Sequence, residues 1–486
     1  MPLTWSGVLR ELRLADLVKS APDRGPDPTG VGVDSRTIRP GMLYVAVRGS
    51  QSDGHRFVAD AVGRGAAVVV VEQPQQGAVP QIVVQDGRRS AHVLGAAWYG
   101  HPSRCLTLIG VTGTNGKTTT TGLVRHLLNE HETAGSIGTL GAFDGKGEAV
   151  PSTAGSLTTP GPVDLQGTLA ELLSRGVKDV VMETSSHSLE QGRLDGLGFA
   201  VGVYTNLTRD HLDYHGTMEA YLASKLRLST LLRTGGTEVV NLDEDAWQAL
   251  PLHSRRVTFG LHPAADVRAA GVALNAAGSR FQLTGRFGTT EVVLPLLGDF
   301  NVANALAAAA TALVLEHPLS QVVERLAAAP QVPGRMERIS DEPCVVLRDY
   351  AHTPDALERA LTTLRPLTQG RLIAVFGCGG DRDRGKRPLM GRVAAQLADL
   401  AIATSDNPRT EDPGAIIDEI ERGMAGVPHL RIVDRLAAIH KALDEARPGD
   451  TILLAGKGHE TYQVIGTTKI DFDEREIVRQ AIGGGR

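Results

Sequence analysis

The sequence predicts an α/β protein of three domains, each built on a sheet dominated by parallel strands. Three observations carry that expectation. The chain has 486 residues, too many for one hydrophobic core. Short apolar runs alternate with helical patterns along its length, the mark of strand–helix–strand units. Glycine-rich or polar motifs follow several of these runs, where open parallel sheets place their ligands.

The first block runs over 1–102. Met42–Val47, Ala66–Val71 and Gln81–Val84 read as strands, with a helix at Arg56–Gly63 between the first two. Gly100-His-Pro-Ser-Arg104 then punctuates the chain.

The second block runs over 103–333. The apolar run Leu106–Val111 leads into Thr112-Gly113-Thr114-Asn115-Gly116-Lys117-Thr118, and a helical pattern follows through Leu127 and Leu128. Strand, glycine loop and helix in that order are the context a phosphate-binding loop requires. Backbone N–H groups of such a loop close around phosphate oxygens, Lys117 reaches the β and γ phosphates, and the Thr118 hydroxyl can serve Mg²⁺. ATP or GTP is the expected ligand. The spacing is shorter than usual, because Gly110 stands one residue too early for G-x(4)-G-K-[ST]. Lys178–Met182 and Ala200–Tyr204 are two further buried-strand candidates, and alternation near 264–295 predicts an antiparallel insertion. Asn301–Leu315 is alanine-rich and apolar on several faces, so a buried helix is expected.

The third block runs over 334–486. Its strands are expected at Cys344–Leu347, Leu372–Phe376, Leu400–Thr404 and Thr451–Leu454. Asp349-Tyr-Ala-His352, Gly377-Cys-Gly-Gly-Asp381, Asp406-Asn407-Pro408-Arg409 and Gly456-Lys-Gly-His-Glu460 follow them. Four motifs at four strand ends point to one site.

Composition narrows the classes of function. The apolar fraction of 42% suits a packed globular chain, and a net charge of −5 argues against a general nucleic-acid or membrane-surface binder. No apolar stretch approaches the roughly 20 residues that span a bilayer. Three cysteines, far apart, give neither a disulfide framework nor a zinc spacing, and the N-terminus carries no secretion signal. A soluble protein of the reducing cytoplasm is expected.

Several residues carry chemistry by type and place. Glu183 ends the Val180–Glu183 run, where a carboxylate would serve a magnesium ion beside the phosphate loop; capping the next element is the plainer role. His211 and His215 lie with two aspartates in the segment after Tyr204. Magnesium prefers carboxylates, phosphates and water, so a histidine here would be auxiliary. Lys225 stands on a helix over Glu219–Leu232, where an exposed lysine is the ordinary reading. Thr158, Thr159, Ser185, Gln191 and Arg193 offer hydroxyls, an amide and a guanidinium that suit an anionic, sugar-bearing substrate. Arg382, Arg384, Lys386 and Arg387 cluster behind a strand-end glycine turn and suit carboxylates or phosphates. Asp406 and Arg409 can hold the ammonium and a carboxylate of an amino acid.

Together the motifs resemble the Mur ligases of peptidoglycan synthesis, over nearly the whole chain. The markers are Gly113–Thr118, the Glu183 strand end, Asn301-x-x-Asn304, Gly334-Arg335-Met-Glu337, Asp349-Tyr-Ala-His352-x-Pro354 and Gly456–Glu460. The resemblance implies an N-terminal UDP-sugar-binding domain, a central ATP-binding P-loop domain and a C-terminal Rossmann-like domain for the amino acid. Within the family the pattern is most similar to the branch that adds the third residue of the stem peptide. That implies UDP-sugar contacts at Val33, Ser35, Ser50, Gln51 and Ser52, and muramoyl-dipeptide contacts at Thr158, Thr159, Ser185, Gln191 and Arg193. It implies ATP and Mg²⁺ as cofactors. Thr112–Thr118, Asn301, Asn304, Arg335, Asp349 and His352 would lie about the nucleotide. Lys117, Glu183, His211 and Lys225 would be catalytic. Thr118, Glu183, His211 and Lys225, the last as a carbamate, would serve the metal. Asp406–Arg409 resembles the signature for meso-diaminopimelate, with Arg409 on its distal carboxylate and Arg382, Gly456 and Glu460 completing the pocket. Lysine or ornithine is the alternative third residue. Ser50-Gln51-Ser52 departs from the His-Gln-Ala of some relatives.

The implied reaction phosphorylates the D-glutamate carboxylate of UDP-N-acetylmuramoyl-L-alanyl-D-glutamate, and the amine of the incoming amino acid then displaces phosphate. Residues drawn from two domains imply closure. A monomer acting in cell-wall synthesis, and so in cell shape and division, is implied as well, with no nucleic-acid partner and no membrane insertion. A folylpolyglutamate synthase shares the folds and the chemistry but should lack the N-terminal block and the Asp406–Arg409 motif. A regulatory or transport ATPase would leave the four C-terminal motifs unexplained.

Overall fold

The computed structural model describes residues 3–49, 52–77, 79–151, 157–251 and 255–483. The expected contacts at Ser50 and Gln51 lie outside the described residues. The chain divides into two compact units. One comprises Met1–Ala270, Leu283–Thr290 and Ala303–Leu326; the other comprises Gly271–Gln282, Glu291–Val302 and Ala327–Arg486. No helix among the described residues is long and apolar enough to cross a membrane.

In the first unit the chain opens with helix α1 (Trp5–Leu14), then strands β1 (Val18–Ser20), β2 (Val31–Gly32) and β3 (Leu43–Val45). Helix α2 (Val58–Gly63), β4 (Val68–Val71), β5 (Gln81–Val84) and α3 (Gly87–Trp98) follow. The strands form a sheet ordered β1-β5-β4-β3-β2, parallel except for β1. All four valines of β4 are buried, which is why this strand reads as a continuous apolar run rather than an alternating one. Three short elements escaped the sequence: β1 is mostly exposed, β2 has two residues, and α1 is amphipathic with Val8 and Leu12 inside.

The same unit continues with β6 (Thr107–Thr112), α4 (Lys117–Leu128), β7 (Ala134–Gly138), β8 (Gly141–Phe143), α5 (Pro162–Ser174) and β9 (Asp179–Glu183). Then come α6 (Ser186–Glu190), β10 (Phe199–Tyr204), α7 (Leu212–His215), α8 (Met218–Thr230), β11 (Leu232–Asn241) and β12 (Arg256–Gly260). These strands run in the order β12-β11-β10-β6-β9-β7-β8, parallel except for β8. Strand β6 is therefore central, and Glu183 pairs in register with Val111 beside the phosphate loop. The stretch expected as an insertion holds three strands, β13 (Val267–Asn275), β14 (Gly278–Gly285) and β15 (Thr290–Leu294). Phe281, Leu283, Val292 and Leu294 are buried on alternate positions, as the pattern requires. Helix α9 (Asp299–Val314) is buried along most of its length, and α10 (Leu319–Ala327) follows it.

The second unit carries β16 (Glu337–Ser340), β17 (Val345–Asp349), α11 (Pro354–Leu364), β18 (Leu372–Phe376), α12 (Lys386–Leu397), β19 (Leu400–Ala403) and α13 (Pro413–Glu421). It ends with β20 (Leu430–Arg431), α14 (Arg435–Glu445), β21 (Thr451–Ala455), β22 (Tyr462–Ile465), β23 (Thr468–Asp471) and α15 (Glu474–Gly483). Six strands form a sheet ordered β16-β17-β21-β18-β19-β20, with β16 antiparallel and the rest parallel. The late strand β21 slots between β17 and β18. That placement brings the motifs after β18, β19 and β21 to neighbouring strand ends.

Candidate active site

The phosphate loop is built by its glycines. Gly113 has φ +149° and Gly116 φ +83°, a region side-chain-bearing residues avoid. A Cβ on Gly113 would stand 1.9 Å from Thr205 Oγ1, and one on Gly116 2.3 Å from Asn304 Oδ1. The loop is held from outside by the segment after β10. Asn206 O accepts from Thr114 N (2.8 Å), Asn206 Oδ1 accepts from Asn115 N (2.9 Å), and Thr205 Oγ1 donates to Asn115 O (2.7 Å). Thr112 ends β6 and is buried, as is Thr118 in the first turn of α4. Gly116 heads that helix with no side chain to cap it, which leaves the first turn suited to an anion.

Two lysines meet over this loop. Lys117 Nζ donates to Gly113 O (2.9 Å) and Thr114 O (2.7 Å). Lys225 Nζ donates to the same Gly113 O (2.7 Å) and lies 4.3 Å from the Tyr221 ring centre. The ordinary reading of Lys225 as an exposed helix lysine is corrected here. It is 1% exposed, because α8 packs against the sheet with this face inward. Burial, and then the charge of Lys117, hold its amine well below the usual lysine range, with Asp210 opposing.

Glu183 is buried at the end of β9, 2% exposed. Its Oε1 accepts from Thr139 N (2.9 Å) and its Oε2 from Thr139 Oγ1 (3.1 Å). His211 sits at φ +52° just before α7, with its ring 4.9 Å from that of His187 and 6.1 Å from that of Tyr221. The atoms packed around the ring, followed by the charges of Lys117 and Lys225, lower its pKa against the pull of Asp210. His215 donates or accepts at Ser186 Oγ (3.0 Å), so a side-chain partner occupies it. His187, which the sequence did not single out, lies between His211, Tyr214 and His215. Among the described residues no three His, Cys, Asp or Glu side chains form a metal-holding group. A buried carboxylate and a helix-start hydroxyl beside a phosphate loop are nonetheless Mg²⁺ chemistry once phosphate oxygens complete the shell. Lys225 fits such a shell only as an anion.

The expected dipeptide contacts gather around Glu183. Thr159 Oγ1 donates to Glu183 O (2.8 Å), and Thr139 Oγ1 bonds to Thr158 Oγ1 (3.3 Å). Ser185 caps α6 through Ser188 N (3.1 Å). Arg193 donates to Thr159 O (3.1 Å) and to Gln191 Oε1 (2.6 and 2.9 Å), and Gln191 donates to Tyr214 OH (3.0 Å). Gln191 also lines a cavity of about 340 Å³ with Arg48, Gly49, Arg88, Glu190, Gly192, Asp195 and Arg227. Three guanidinium groups there went unread in the sequence. They come from three separate segments, and only folding brings them together. Of the N-terminal residues, Ser35 is buried within the turn capped by Asp34, Val33 is half-buried beside it, and Ser52 is exposed.

In the second unit Asn301 bonds back to Leu297 O (2.8 Å), whereas Asn304, in the first unit, packs against the phosphate loop and Thr120 Oγ1 (3.3 Å). Arg335 lies 4.8 Å from the Tyr350 ring centre, and Asp349 Oδ2 accepts from Met336 N (2.6 Å). His352 is fixed by Tyr350 O (2.8 Å).

The motifs after β18, β19 and β21 interlock. Asn407 Oδ1 accepts from Lys457 Nζ (3.0 Å) and Val464 N (2.9 Å), while its Nδ2 donates to Glu460 Oε2 (2.8 Å). A Cβ on Gly456, at φ +114°, would lie 2.5 Å from Asp406 Oδ2. Pro408 is buried, and Arg409, at φ +52°, donates to Gly380 O (2.8 Å). Arg382 Cγ and Arg409 Nη1 both flank Gly379, within 3.7 and 2.9 Å of its Cβ position. The rest of the basic cluster is corrected. Arg387 is buried and pairs with Glu411 (2.8 Å) and Glu419 (2.9 Å); Arg384 also pairs with Glu419, and Lys386 donates to His352 O (2.8 Å). A buried guanidinium needs carboxylate partners, and these come from the chain itself. The hairpin β22–β23 was also missed. It holds the Arg409 loop through Arg409 N to Val464 O (3.1 Å) and Gly466 N to Arg409 O (2.7 Å). Its alternation around Gly466-Thr467 was the available signal.

Comparison with known proteins agrees with this geometry. Three family models match: the Mur ligase family catalytic domain over 28–97, the Mur ligase middle domain over 111–312 and the Mur ligase glutamate ligase domain over 334–458. The chain is 44% identical over 469 residues to the UDP-N-acetylmuramoyl-L-alanyl-D-glutamate–2,6-diaminopimelate ligase of Gloeobacter violaceus, covering 95% of each. It is 45% identical over 484 residues to the ligase of that name from Synechocystis, covering 96% of this chain and 95% of the other. A solved structure of a ligase of that name matches with TM-score 0.66 and 35% identity, covering 95% and 96%. A folylpolyglutamate synthase of Mycobacterium tuberculosis shares the fold at TM-score 0.61 and 19% identity, over 76% of this chain. The residues that surround the phosphate loop and the interlocked strand-end motifs thus stand in a chain that belongs to the Mur ligase family.

Proposed function

We propose that the chain is an ATP-dependent ligase that joins meso-2,6-diaminopimelate to the D-glutamate carboxylate of UDP-N-acetylmuramoyl-L-alanyl-D-glutamate. The observation that carries the reading is the junction at Glu183. Its backbone pairs with Val111 of the phosphate-loop strand, its carboxylate accepts from Thr139, and its own carbonyl is bonded by Thr159, one of the expected dipeptide contacts. The terminal phosphate and the substrate acid would thereby meet at one strand end.

The acid is an anion attacking a polyanion, so the site must offset charge before it can orient orbitals. Lys117 supplies one cation at the loop. Mg²⁺, when bound, would screen the phosphate oxygens and polarise the transferred group, held by Thr118 and Glu183 with His211 and carbamylated Lys225 beside them. A lysine with a depressed pKa is uncharged more of the time, and only the uncharged amine can add carbon dioxide. Gln191 and Arg193 would orient the dipeptide, and the arginine-lined cavity beside Gln191 suits the diphosphate of the UDP group. Val33, Ser35, Ser50, Gln51 and Ser52 would hold the sugar nucleotide. Asn301, Asn304, Arg335, Asp349 and His352 would serve the nucleotide. Asp406, with Glu460 near it, would hold the ammonium end of the amino acid, and Arg409 with Arg382 its distal carboxylate. The attacking amine then bonds to the carbonyl carbon of the acyl phosphate formed on the dipeptide, and inorganic phosphate leaves. The division into 1–102 for the UDP-sugar, 103–333 for ATP and 334–486 for the amino acid belongs to this reading. So do a cytoplasmic location and a monomer.

The test offers diaminopimelate, lysine and ornithine in parallel with ATP and the UDP-dipeptide, and weighs the products by mass spectrometry. A UDP-tripeptide carrying diaminopimelate is expected. Preference for lysine would overturn the role given to Arg409, and ATP hydrolysis without regard to amino acid would overturn the ligase. Lys117→Ala should fold and lose on the order of 10³-fold in turnover.

A further inference from the structure

The two amino-acid loops are joined at their base by a device that none of their motif residues supplies. In the sheet, β18 lies between β19 and β21. The chain leaving β19 reaches β21 only by crossing the end of β18. Gly377 permits the crossing, since a Cβ there would stand 2.3 Å from Thr404 O and 3.0 Å from Asp406 N. Beneath the crossing sits Arg435, the first residue of α14, with its side chain fully buried. Its Nη1 donates to Ser405 O (3.3 Å) and its Nη2 to Ala455 O (2.9 Å). Those are the residues just before Asp406 and Gly456. Glu474, at the start of α15 and equally buried, accepts from Arg435 Nε at 2.8 Å.

A buried ion pair is a weak source of stability, because desolvating two charges cancels most of their attraction, and an apolar pair fills the same space at least as well. What an apolar pair cannot do is bond two carbonyl oxygens at a fixed separation. A guanidinium can, since its donors form a rigid planar fork. The geometry points to Arg435, oriented by Glu474, as a positioning residue that sets the spacing between the Asp406–Arg409 and Gly456–Glu460 loops. This rests on the reading of those loops as the amino-acid site. The hairpin bonds to the Asp406 loop through Gln463 Nε2 to Asp406 O (2.7 Å), whereas Arg435 bonds to the residues that precede both loops.

Two variants of the full chain test it. Arg435→Lys keeps the cation against Glu474 but cannot reach both carbonyls and the carboxylate. The double variant Arg435→Met with Glu474→Met replaces the pair by apolar volume. Both should fold and raise KM for whichever amino acid the wild type accepts by about 10-fold. KM for ATP and for the UDP-dipeptide, and kcat, should stay within about twofold. Amide hydrogen exchange should quicken in 404–410 and 455–461 of both variants and stay unchanged in the helix after the phosphate loop. The exchange readout needs no turnover, so it separates failure of this inference from failure of the ligase reading. Unchanged exchange with an unchanged amino-acid KM overturns the proposal, as does a rise in all three KM values together. If neither variant folds, the pair is a stability element and the proposal is equally overturned.

Discussion

Replacing Glu183 by glutamine separates charge from shape at the strand end beside the phosphate loop. Glu183 Oε1 accepts a backbone N–H and Oε2 a hydroxyl, both from Thr139. Glutamine can keep both contacts, because its carbonyl oxygen accepts from Thr139 N and its amide donates to a rotated hydroxyl. Two charge-assisted bonds, worth about 1.5–3 kcal/mol each, become neutral ones worth about 1 kcal/mol, so roughly 1–4 kcal/mol of stability is lost. The thermal midpoint should fall by a few degrees. Turnover faces a larger loss, because the carboxylate that would face Mg²⁺ and the transferred phosphate is gone. Removing one such electrostatic group costs about 10²–10³-fold in kcat. Thr139→Ala is the companion variant. It keeps the charge and removes one tether, and about a 10-fold loss is expected. ADP release coupled to product mass spectrometry reads both, with magnesium titrated to saturation. Wild-type kcat in Glu183→Gln, at a similar midpoint, would refute the placement of the reacting phosphate at this strand end.

Other substitutions follow from the same geometry. Lys225→Met should raise the midpoint and abolish ligation. Because the folded amine titrates below the unfolded one, the folded state binds fewer protons between those two values. The burial penalty is therefore full at low pH and fades as pH rises toward 10.5. Scans in buffer free of carbon dioxide should show the gain from Lys225→Met shrinking with rising pH, and a pH-independent gain would reject the burial argument. His459 is held down to about 4 by burial, then by Arg335 and Arg348. Stability should decline as pH falls from about 6.5 toward 4, by at most roughly 3 kcal/mol, and His459→Gln should flatten that limb. Gly456→Ala places a methyl 2.5 Å from Asp406 Oδ2 at a positive φ; about 1–3 kcal/mol of strain and a raised amino-acid KM are expected in denaturation and rate assays.

Legibility in the sequence followed burial on both faces of a sheet. Val68–Val71, Leu108–Val111 and Ile373–Phe376 are inside on both sides, and continuous apolar runs announced them. Strand β11 did not announce itself. Its first four residues are half-buried or exposed, and Gly235-Gly236 interrupts the pattern. The candidate site was legible wherever chemistry and backbone geometry coincide in one short segment, as at Gly113–Thr118 and Asp406–Arg409. It was illegible where partners come from distant segments. Arg88 meets Gln191 O across about a hundred residues, and Arg387 finds Glu411 and Glu419 two elements away. Period and propensity carry no information on which guanidinium a fold will enclose. Lys225 shows the same limit, since α8 is only weakly amphipathic and its inward face includes Ser224 and Ser229.

The sites share one construction, and it explains why they lie at strand ends bearing glycine. A parallel sheet delivers side chains and backbone to one edge, and its strands stand only roughly 4.8 Å apart, so a loop that crosses another strand end passes hard against its backbone. A crossing needs a position without a Cβ. Gly113 receives Thr205, Gly138 receives Glu183, Gly377 receives the 404–406 segment, and Gly456 receives Asp406, each within 2.5 Å of where a Cβ would be. At each place a polar group from another strand end of the same sheet is drawn over the glycine. The glycines therefore do more than loosen the chain. They let two strand ends occupy one volume, which is the condition for polar groups within each unit to meet from segments that propensity alone would keep apart.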